Sequence, residues 1–418
     1  MVPLGTTNTK KESIIKDDNP VDRDSSQYAD PANSAEVSLF TVDFVSSTIA
    51  NFASALGISM LIATLPLYVL DLGGNKTDAG IVAGAAQLTA VLLRPFVGWL
   101  TDAWRRRPLV LIGTFCYGAA SMVYLLSGSI SFLLLGRGIH GVGVSCYTTA
   151  ANVYVADIAP LNRRAEAMGI FSAAQAMGII IGPVIGFFII EAAGFHYMFY
   201  FTVGLAFTAF LISFFAREKR RSGATKRHPW SPRTGIVDRD AMSLAWMALC
   251  MGMGFGSINA FISIFAQPRG VTNPGFYFMV QAVALLISRT FAGRLADRYS
   301  RAAAIIPGII LMTIALAILP VANGYHLFLV VASLFGFGFG AAQPATMALL
   351  IDRVRFEKRG LATSTYYLGF DIGLAMGSIL LGMVSQRLGF GVMWSMAAAL
   401  TLLSLAGLLL DRKNVIHN

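Results

Sequence analysis

The chain has 418 residues, of which 56% are hydrophobic and only 13% are charged, and its mean hydropathy is +0.65. A soluble globular protein has about 25% charged residues and cannot bury this much apolar surface, whereas a lipid bilayer accepts it. The composition therefore excludes an ordinary soluble protein and predicts an integral membrane protein. The formal net charge of +10 could indicate nucleic-acid binding, but the positions of the basic residues argue against it.

The chain begins with residues 1–36, which are polar and contain no apolar run. They predict a disordered tail and not a signal peptide, which needs a short apolar core. Twelve apolar segments follow, each of about 20 residues or more, enough to cross a hydrocarbon core of about 30 Å at 1.5 Å per residue. The predicted spans are 43–70, 77–100, 108–127, 131–153, 166–190, 196–216, 242–267, 273–294, 302–321, 326–351, 360–385 and 389–411.

Lysine and arginine residues are concentrated in every second joint between these spans, on what we call the basic side of the membrane. The joints on the opposite side contain only Lys76, Arg269 and Arg387. The positive-inside rule places the basic side and both chain termini in the cytoplasm, which requires an even number of spans. The basic stretch after the sixth span is then a cytoplasmic linker, and we expect no nucleic-acid partner. The predicted division is a cytoplasmic tail (1–36), a six-helix half (37–216), a linker (217–240), a second six-helix half (241–411) and a second cytoplasmic tail (412–418).

The two halves repeat one another at a fixed offset of 195 residues, the separation of Arg94 from Arg289. The segment 94–102 reads RPFVGWLTD, and the segment 289–297 reads RTFAGRLAD. Charged residues that match in one register indicate a duplication, and two halves in the same orientation are related by an axis along the membrane normal. The sequence therefore predicts an all-α membrane protein of twelve helices in two pseudo-symmetric halves. Further pairs at this offset are Arg106 with Arg301, Asp157 with Asp352, Arg164 with Arg359, Gly141 with Gly336, Gly143 with Gly338, Gly178 with Gly373 and Gly182 with Gly377.

Motifs in both halves resemble those of the major facilitator superfamily. Gly98-x-Leu100-x-Asp102-x-x-x-Arg106 is similar to the signature between the second and third helices, although Arg105 stands where a glycine is usual. The second copy is Gly293-x-Leu295-x-Asp297-x-x-x-Arg301. Arg137-x-x-x-Gly141-x-Gly143 resembles the fourth-helix motif. Gly178-x-x-x-Gly182-Pro183-x-x-Gly186 resembles a fifth-helix signature of proton-driven antiporters, such as bacterial drug and metabolite exporters.

The resemblance implies a gate at the seam between the halves on the basic side. A carboxylate such as Asp102 would lie near the N-terminus of another helix, whose dipole favours an anion, and would hold an outward-facing state. The alternative is that these charges only anchor helix ends at the lipid headgroups. For the glycine–proline motif the alternative to antiport is close helix packing. The implied gating residues are Gly98, Asp102, Arg106, Asp157, Arg164, Gly293, Asp297, Arg301 and Asp352.

Ionisable residues deep in the predicted spans are candidates for proton coupling, because a charge at that depth needs a partner or a cavity. Asp371 is the one carboxylate well inside a span, and its counterpart in the first half is Ala176, so the duplicated scaffold does not require it. A carboxyl group removed from water takes up a proton more readily. We therefore expect Asp371 to carry the proton, with Arg137 or His140 tuning the site. The alternative is a satisfied helix–helix hydrogen bond or ion pair.

Arg94 and Arg289 lie about one turn inside the basic-side ends of their spans, and we expect them to snorkel or to pair with loop carboxylates. Polar and aromatic residues on the central spans are candidates for the substrate cavity, because an amide or hydroxyl facing lipid would be unsatisfied. Few fixed charges favour a neutral, cationic or amphipathic solute. The candidates are Asn51, Phe52, Tyr147, Asn152, Gln175, Asn259, Gln281, Gln343, Tyr366 and Tyr367.

The function that these features predict is export of a small organic solute (a drug, metallophore, sugar or other metabolite) in exchange for protons. A proton-coupled importer or facilitator of a sugar-like metabolite is the main alternative, and a receptor that moves no solute is another. The five histidines are scattered, and neither a phosphate-binding loop nor a nucleophile elbow is present, so we expect no enzyme activity, metal or cofactor besides the proton gradient. The family resemblance implies a monomer, and we expect it in the cytoplasmic membrane of a bacterium.

Overall fold

The computed structural model of the protein describes residues 39–103, 106–160, 163–215, 238–354 and 358–410. These ranges are almost entirely α-helical and contain no β-strand, as the sequence predicts. The predicted tails at 1–36 and 412–418 lie outside the described residues, as does the linker at 217–240 apart from its last three residues.

Within the described ranges, eleven helices are long and apolar enough to cross a membrane. Some begin at a hydroxyl that accepts a backbone N–H, which satisfies one of the unpaired donors at a helix start: Thr41 Oγ1 accepts from Phe44 N (3.2 Å) and Ser300 Oγ from Ala303 N (3.2 Å). The helices are α1 (Val42–Asp71), α2 (Lys76–Ala103), α3 (Arg106–Leu125), α4 (Ile130–Ile158), α5 (Arg164–Ala193), α6 (Phe195–Phe215), α7 (Met242–Ala266), α8 (Gly275–Arg298), α9 (Arg301–Ile318), α10 (Tyr325–Arg353) and α11 (Arg359–Leu403), followed by the short α12 (Leu405–Leu410).

Helix α11 contains two membrane crossings. Its 45 residues would extend about 68 Å as one straight helix, more than twice the hydrocarbon thickness. At Gly389 the backbone takes φ 84° and ψ 168°, a conformation that a side chain disfavours and glycine accepts. This break divides the element into two arms, 359–388 and 390–403, and the second arm is followed by α12. Counting each arm as one crossing gives the twelve predicted crossings.

The duplication inferred from the sequence is present in the helix packing. In the first half α4 packs on α2, where a Cβ atom on Gly141 would collide with the carbonyl oxygen of Ala86. In the second half α10 packs on α8, where a Cβ on Gly336 would collide with the carbonyl oxygen of Gln281. Gly336 follows Gly141 by 195 residues, and Gln281 follows Ala86 by the same offset. The small residues are therefore required by close backbone approach in each half.

The halves contact each other mainly through α2 with α11 and α5 with α8, two pairs that the pseudo-symmetry exchanges. Lys76 Nζ donates to the Ser385 carbonyl (3.4 Å), and Ser263 Oγ donates to the Ala63 carbonyl (2.9 Å). These contacts lie toward the side opposite the basic loops. Near the basic end of α2, by contrast, a Cβ atom on Gly98 would meet nothing within 4 Å. In the described ranges these contacts join the halves on the side opposite the basic loops, and an ion pair of Arg94 with Asp371 joins them further toward the basic side.

Candidate functional site

Asp371 lies where α11 crosses α2, at the contact between the halves. Its residue surface is 3% exposed. One carboxylate oxygen, Oδ2, lies 2.9 Å from Arg94 Nη1, and the other, Oδ1, accepts a hydrogen bond from Gln87 Nε2 at 2.8 Å. Both partners come from α2, so a carboxylate of the second half is bound entirely by side chains of the first half.

Gln87 and Arg94 reach one carboxylate because they are seven residues apart, which places them two turns apart on one face of α2. Asp371 lies between them and accepts from both. The side chain of Arg94 is 33% exposed and that of Asp371 is 5% exposed. The ion pair therefore joins a buried anion to a partly exposed cation.

Glycines on the same face of α2 bring the two helices close enough for these bonds. Gly80 and Gly84 precede Gln87 at helical spacing. A Cβ atom on Gly80 would collide with the carbonyl oxygen of Ser378, and one on Gly84 would lie 3.0 Å from the carbonyl oxygen of Ala375. The backbones of α2 and α11 therefore approach closely, and the polar side chains further along the face are held against Asp371.

We expected Arg137 or His140 to tune Asp371, but in the structure neither side chain contacts Asp371. Arg137 donates from Nε to the Val82 carbonyl (2.8 Å) and from Nη2 to the Ala83 carbonyl (2.6 Å). His140 stacks near the rings of Tyr117 and Tyr124, at 5.2 and 6.3 Å between centroids. The reason is that α4 packs on a face of α2 different from the one that contacts α11.

The expectation for Arg94 also needs correction. It neither snorkels alone nor pairs with a loop carboxylate, because α2 continues to Ala103 and places Arg94 nine residues inside the helix, beside Asp371. Its repeat counterpart, Arg289, is exposed, and no ion pair joins it to another described residue. The difference follows from the repeat itself, since the position equivalent to Asp371 in the first half is Ala176.

The ion pairs of the predicted gate lie inside each half. Arg106 Nε lies 3.4 Å from Asp157 Oδ2, and Arg301 Nε lies 2.9 Å from Asp352 Oδ2. These two pairs are related by the 195-residue offset, so they join equivalent helix ends (α3 to α4 and α9 to α10) and do not cross the seam. The predicted gate is closed in an outward-facing state, so the role of Asp157 at the seam stays a prediction.

The other predicted gating residues are free of cross-seam contacts or are not described. Arg164 is exposed, and a Cβ atom on Gly98 or Gly293 would meet nothing within 4 Å. The side chains of Asp102 and Asp297 lie outside the described residues. A gate that closes at the basic side therefore stays a prediction.

The glycine–proline motif packs α5 against other helices. A Cβ on Gly178 would lie 2.8 Å from the backbone of α1 at Phe52 and Leu56, while Gly182 and Gly186 continue the contact along α1. The equivalent glycines Gly373 and Gly377 pack α11 against α7 in the same way, so this contact belongs to the duplicated scaffold. Pro183 and Gly186 are particular to the first half, since Ser378 and Leu381 stand at the 195-residue offset, and Pro183 lies beside Gly275 at the α5–α8 contact.

Several predicted cavity residues are occupied by bonds within one half. Asn51 donates to the Phe171 carbonyl (2.9 Å) and accepts from the Tyr147 hydroxyl at 3.4 Å. The Tyr366 hydroxyl donates to the Gln343 carbonyl (3.4 Å). These side chains tie helices together, which is the alternative role that the sequence left open.

The remaining cavity candidates differ in exposure. Gln281 is buried at 5% exposure, whereas Asn152 and Tyr367 are exposed. Those with partial exposure are Phe52, Gln175, Asn259 and Gln343. The exposed and partly exposed residues stay candidates for solute contact.

One aromatic cluster was missed from the sequence. Phe255 of α7 lies 4.7 Å from Phe339 of α10 and 6.2 Å from Phe370 of α11, between ring centroids. At the 195-residue offset the first half has Met60, Val144 and Gln175 instead, so the cluster is not part of the duplicated scaffold. Phe370 directly precedes Asp371 in α11, but adjacent residues of a helix point in different directions, so the cluster lies on a face of α11 different from that of the ion pair. The sequence pattern that could have revealed this cluster is the alternation of glycine and phenylalanine at 254–256 and 335–339.

Two six-helix halves, built from helices long and apolar enough to cross a membrane and joined through a charged contact, are the architecture of a multi-pass membrane transporter. The chain belongs to the Major Facilitator Superfamily, whose model matches residues 47–288 and 270–416.

Similar proteins are transporters. The chain is 25% identical over 360 residues to the MFS-type transporter MJ1560 of Methanocaldococcus jannaschii, covering 84% of this chain and 93% of that protein. It is 25% identical over 346 residues to the quinolone resistance protein NorA of Staphylococcus aureus, covering 79% and 87%. Among solved structures, a variant of the nucleoside transporter NupG superposes with a TM-score of 0.76 at 13% identity, covering 88% of this chain and 99% of that one. A POT family transporter in complex with a thioalcohol-conjugated peptide gives 0.75 at 13%, covering 89% and 96%; these two likenesses establish the fold alone.

Proposed function

We propose that this protein exports a small organic solute in exchange for protons by alternating access, with Asp371 as the group that carries the proton. The observation that supports this proposal is the contact of Asp371 with Arg94 and Gln87 across the two halves. Because a buried carboxylate of one half binds side chains of the other, its charge contributes directly to the free energy of the contact.

Protonation of Asp371 weakens this contact. A neutral carboxylic acid loses the charge-assisted pair with Arg94, and such pairs are about twice as strong as neutral hydrogen bonds. Arg94, whose side chain is already 33% exposed, can then turn its charged end toward water. The helices α2 and α11 separate more readily, so that proton binding shifts the equilibrium between the two states.

The solute competes with the proton for the same carboxylate. A cationic group can replace Arg94 beside Asp371, and the rings of Phe255, Phe339 and Phe370 supply aromatic surface on α7, α10 and α11 of the same half. Since a cation and a proton each neutralise Asp371, one must leave before the other binds, and the result is exchange. This chemistry favours an amphipathic aromatic cation as the solute.

Export in preference to import is supported by the likeness to NorA, a quinolone resistance protein, and by the resemblance of the fifth helix to that of antiporters. Under the positive-inside rule the basic side faces the cytoplasm. Apart from the Arg94–Asp371 pair, the contacts between the halves named above lie toward the other side, so a solute would enter this conformation from the cytoplasm.

Transport in inverted membrane vesicles tests the proposal and separates it from import. The vesicles expose the basic side, and the probes are ethidium, an amphipathic aromatic cation, and a quinolone. An inside-acid gradient should drive uptake of at least one probe above that of vesicles without the protein, and dissipating the gradient should abolish it. A proton-coupled importer would instead move solute out of the same vesicles, and a receptor would give no flux; either outcome contradicts export.

A further inference from the structure

A groove runs between α8 and α9 of the second half, with α10 as its floor. The groove is open to its surroundings and has a volume of about 500 Å³. Its walls are apolar, with Phe291 and Leu295 from α8 and Pro307 and Leu311 from α9. Phe291 and Leu295 are 62% and 38% exposed, so these side chains do not fill the space between the helices.

The groove has the length of one leaflet of a bilayer. On α8 it extends from Ser288 to Arg298, ten residues, which is about 15 Å of helix at 1.5 Å per residue. A hydrocarbon core of about 30 Å has leaflets of about 15 Å. Since α8 ends at Arg298 on the basic side, the groove lies within the leaflet of that side.

The outer end of the groove is positively charged. Arg294 and Arg298 are both exposed and lie one turn apart on the same face of α8. Next to them, Tyr299 is 70% exposed, and its ring lies 5.8 Å from the guanidinium carbon of Arg298. Two cations and an amphipathic ring therefore lie at the level of the headgroups, directly above an apolar channel.

The duplicated scaffold does not account for these charges. At the 195-residue offset, the first half has Trp99 in place of Arg294 and Ala103 in place of Arg298. The ring of Trp99 packs against Phe96, with centroids 5.9 Å apart. The equivalent positions of the first half thus carry an aromatic and a small residue, whereas those of the second half carry two exposed arginines.

We infer that this groove binds an anionic phospholipid of the basic-side leaflet, with the phosphate at Arg294 and Arg298 and one acyl chain along the apolar wall. The charge complementarity selects an anionic headgroup over a zwitterionic one. The depth and apolar lining select a lipid chain over a free phosphate. Because α8 also contacts α5 across the seam, a bound lipid lies against one of the helices that join the halves.

Native mass spectrometry of the full-length protein in detergent tests this inference, with phosphatidylglycerol and phosphatidylcholine as the two probes. Wild-type protein should retain phosphatidylglycerol in preference to phosphatidylcholine. The double variant R294Q/R298Q should bind phosphatidylglycerol about 30-fold more weakly, since each basic residue at an anionic surface contributes about fivefold. The variant A341F, which fills the floor of the groove without changing any charge, should lose the lipid as well.

The matched control is R163Q/R164Q, which removes two charges from the same side of the membrane at the start of α5, away from the groove. It should change phosphatidylglycerol binding less than twofold. Equal loss in both double variants would mean that only overall charge matters, and would overturn the inference. So would equal retention of the two lipids, or retention of phosphatidylglycerol by A341F. The measurement involves no transport, and it stands or falls independently of the proposed export.

Discussion

The change Asp371→Asn isolates the charge of the proposed proton carrier. Asparagine has nearly the shape of a protonated aspartic acid, and its side-chain oxygen can still accept the hydrogen bond from Gln87. What it loses is the 2.9 Å ion pair with Arg94. We therefore expect a folded, membrane-inserted protein in which the contact between α2 and α11 always resembles that of the wild-type protein with Asp371 protonated.

The size of the effect follows from the bond that is lost. A hydrogen bond to a charged group contributes about 1.5–3 kcal/mol net. At about 1.4 kcal/mol for each factor of ten, the equilibrium between the two states shifts by about 10- to 150-fold toward separation of α2 and α11. A shift of this size is large enough to abolish coupling while the protein still carries solute down its own gradient.

The assay is proton movement in proteoliposomes that contain a pH-sensitive dye, started by adding solute. Wild-type protein should move protons in the direction opposite to the solute. D371N should give no solute-driven proton movement, although solute should still exchange across the membrane. Undiminished proton movement in D371N would refute the reasoning, because the charge of Asp371 would then be irrelevant to coupling.

Arg94 and its repeat counterpart provide the matched control for stability. R94Q leaves a buried carboxylate without its cation, and the partial exposure of Arg94 reduces the cost of a broken buried pair to about 1–3 kcal/mol. The double variant R94Q/D371N should be more stable than R94Q, since it removes the unpaired charge as well. R289Q, which breaks no described ion pair, should change the free energy of unfolding by about 0.5 kcal/mol or less. If R94Q and R289Q are equally stable to thermal unfolding, the pair contributes nothing to the contact.

Two further changes test the surroundings of the ion pair. G80A places a methyl group against the carbonyl oxygen of Ser378, so it should separate α2 from α11 and raise the reactivity of cysteines introduced at that contact. G98A, whose Cβ would meet nothing within 4 Å, should have no such effect, and equal reactivity in both variants would contradict the packing argument. F370A removes part of the aromatic cluster, so it should raise the KM for ethidium transport several-fold with little change in kcat. F115A, at a ring that is 62% exposed, should leave both constants unchanged, and an unaltered KM in F370A would exclude the cluster from solute binding.

The fold class was predictable because it depends on local properties of the chain. The length and hydropathy of each segment predict one membrane crossing. The last two crossings need a break between them, because the 45 residues of α11 are too long for a single crossing. The repeat was visible because charged residues such as Arg94 and Arg289 recur in one register, and glycines recur in the same register because close backbone contacts admit only small residues. Gly141 and Gly336 are each placed against a carbonyl of the neighbouring helix, so their spacing survives in both halves.

The partner of Asp371 was not predictable in the same way. Arg94 is 277 residues away from it in the chain, and nothing in the local sequence of α11 indicates which helix it faces. In a soluble protein the polar face of a helix would reveal its orientation. In a membrane the lipid-facing and protein-facing sides are both apolar, so the pattern along α2 does not distinguish the face toward α4 from the face toward α11.

The sequence by itself thus determined that the chain crosses the membrane twelve times as two related halves, and that a carboxylate without a counterpart lies deep in one of them. Only the tertiary structure decided that this carboxylate binds Arg94 and Gln87 while Arg137 binds backbone carbonyls. The physical reason is that burial in a bilayer depends on composition alone, whereas the pairing of buried charges depends on which helix faces meet.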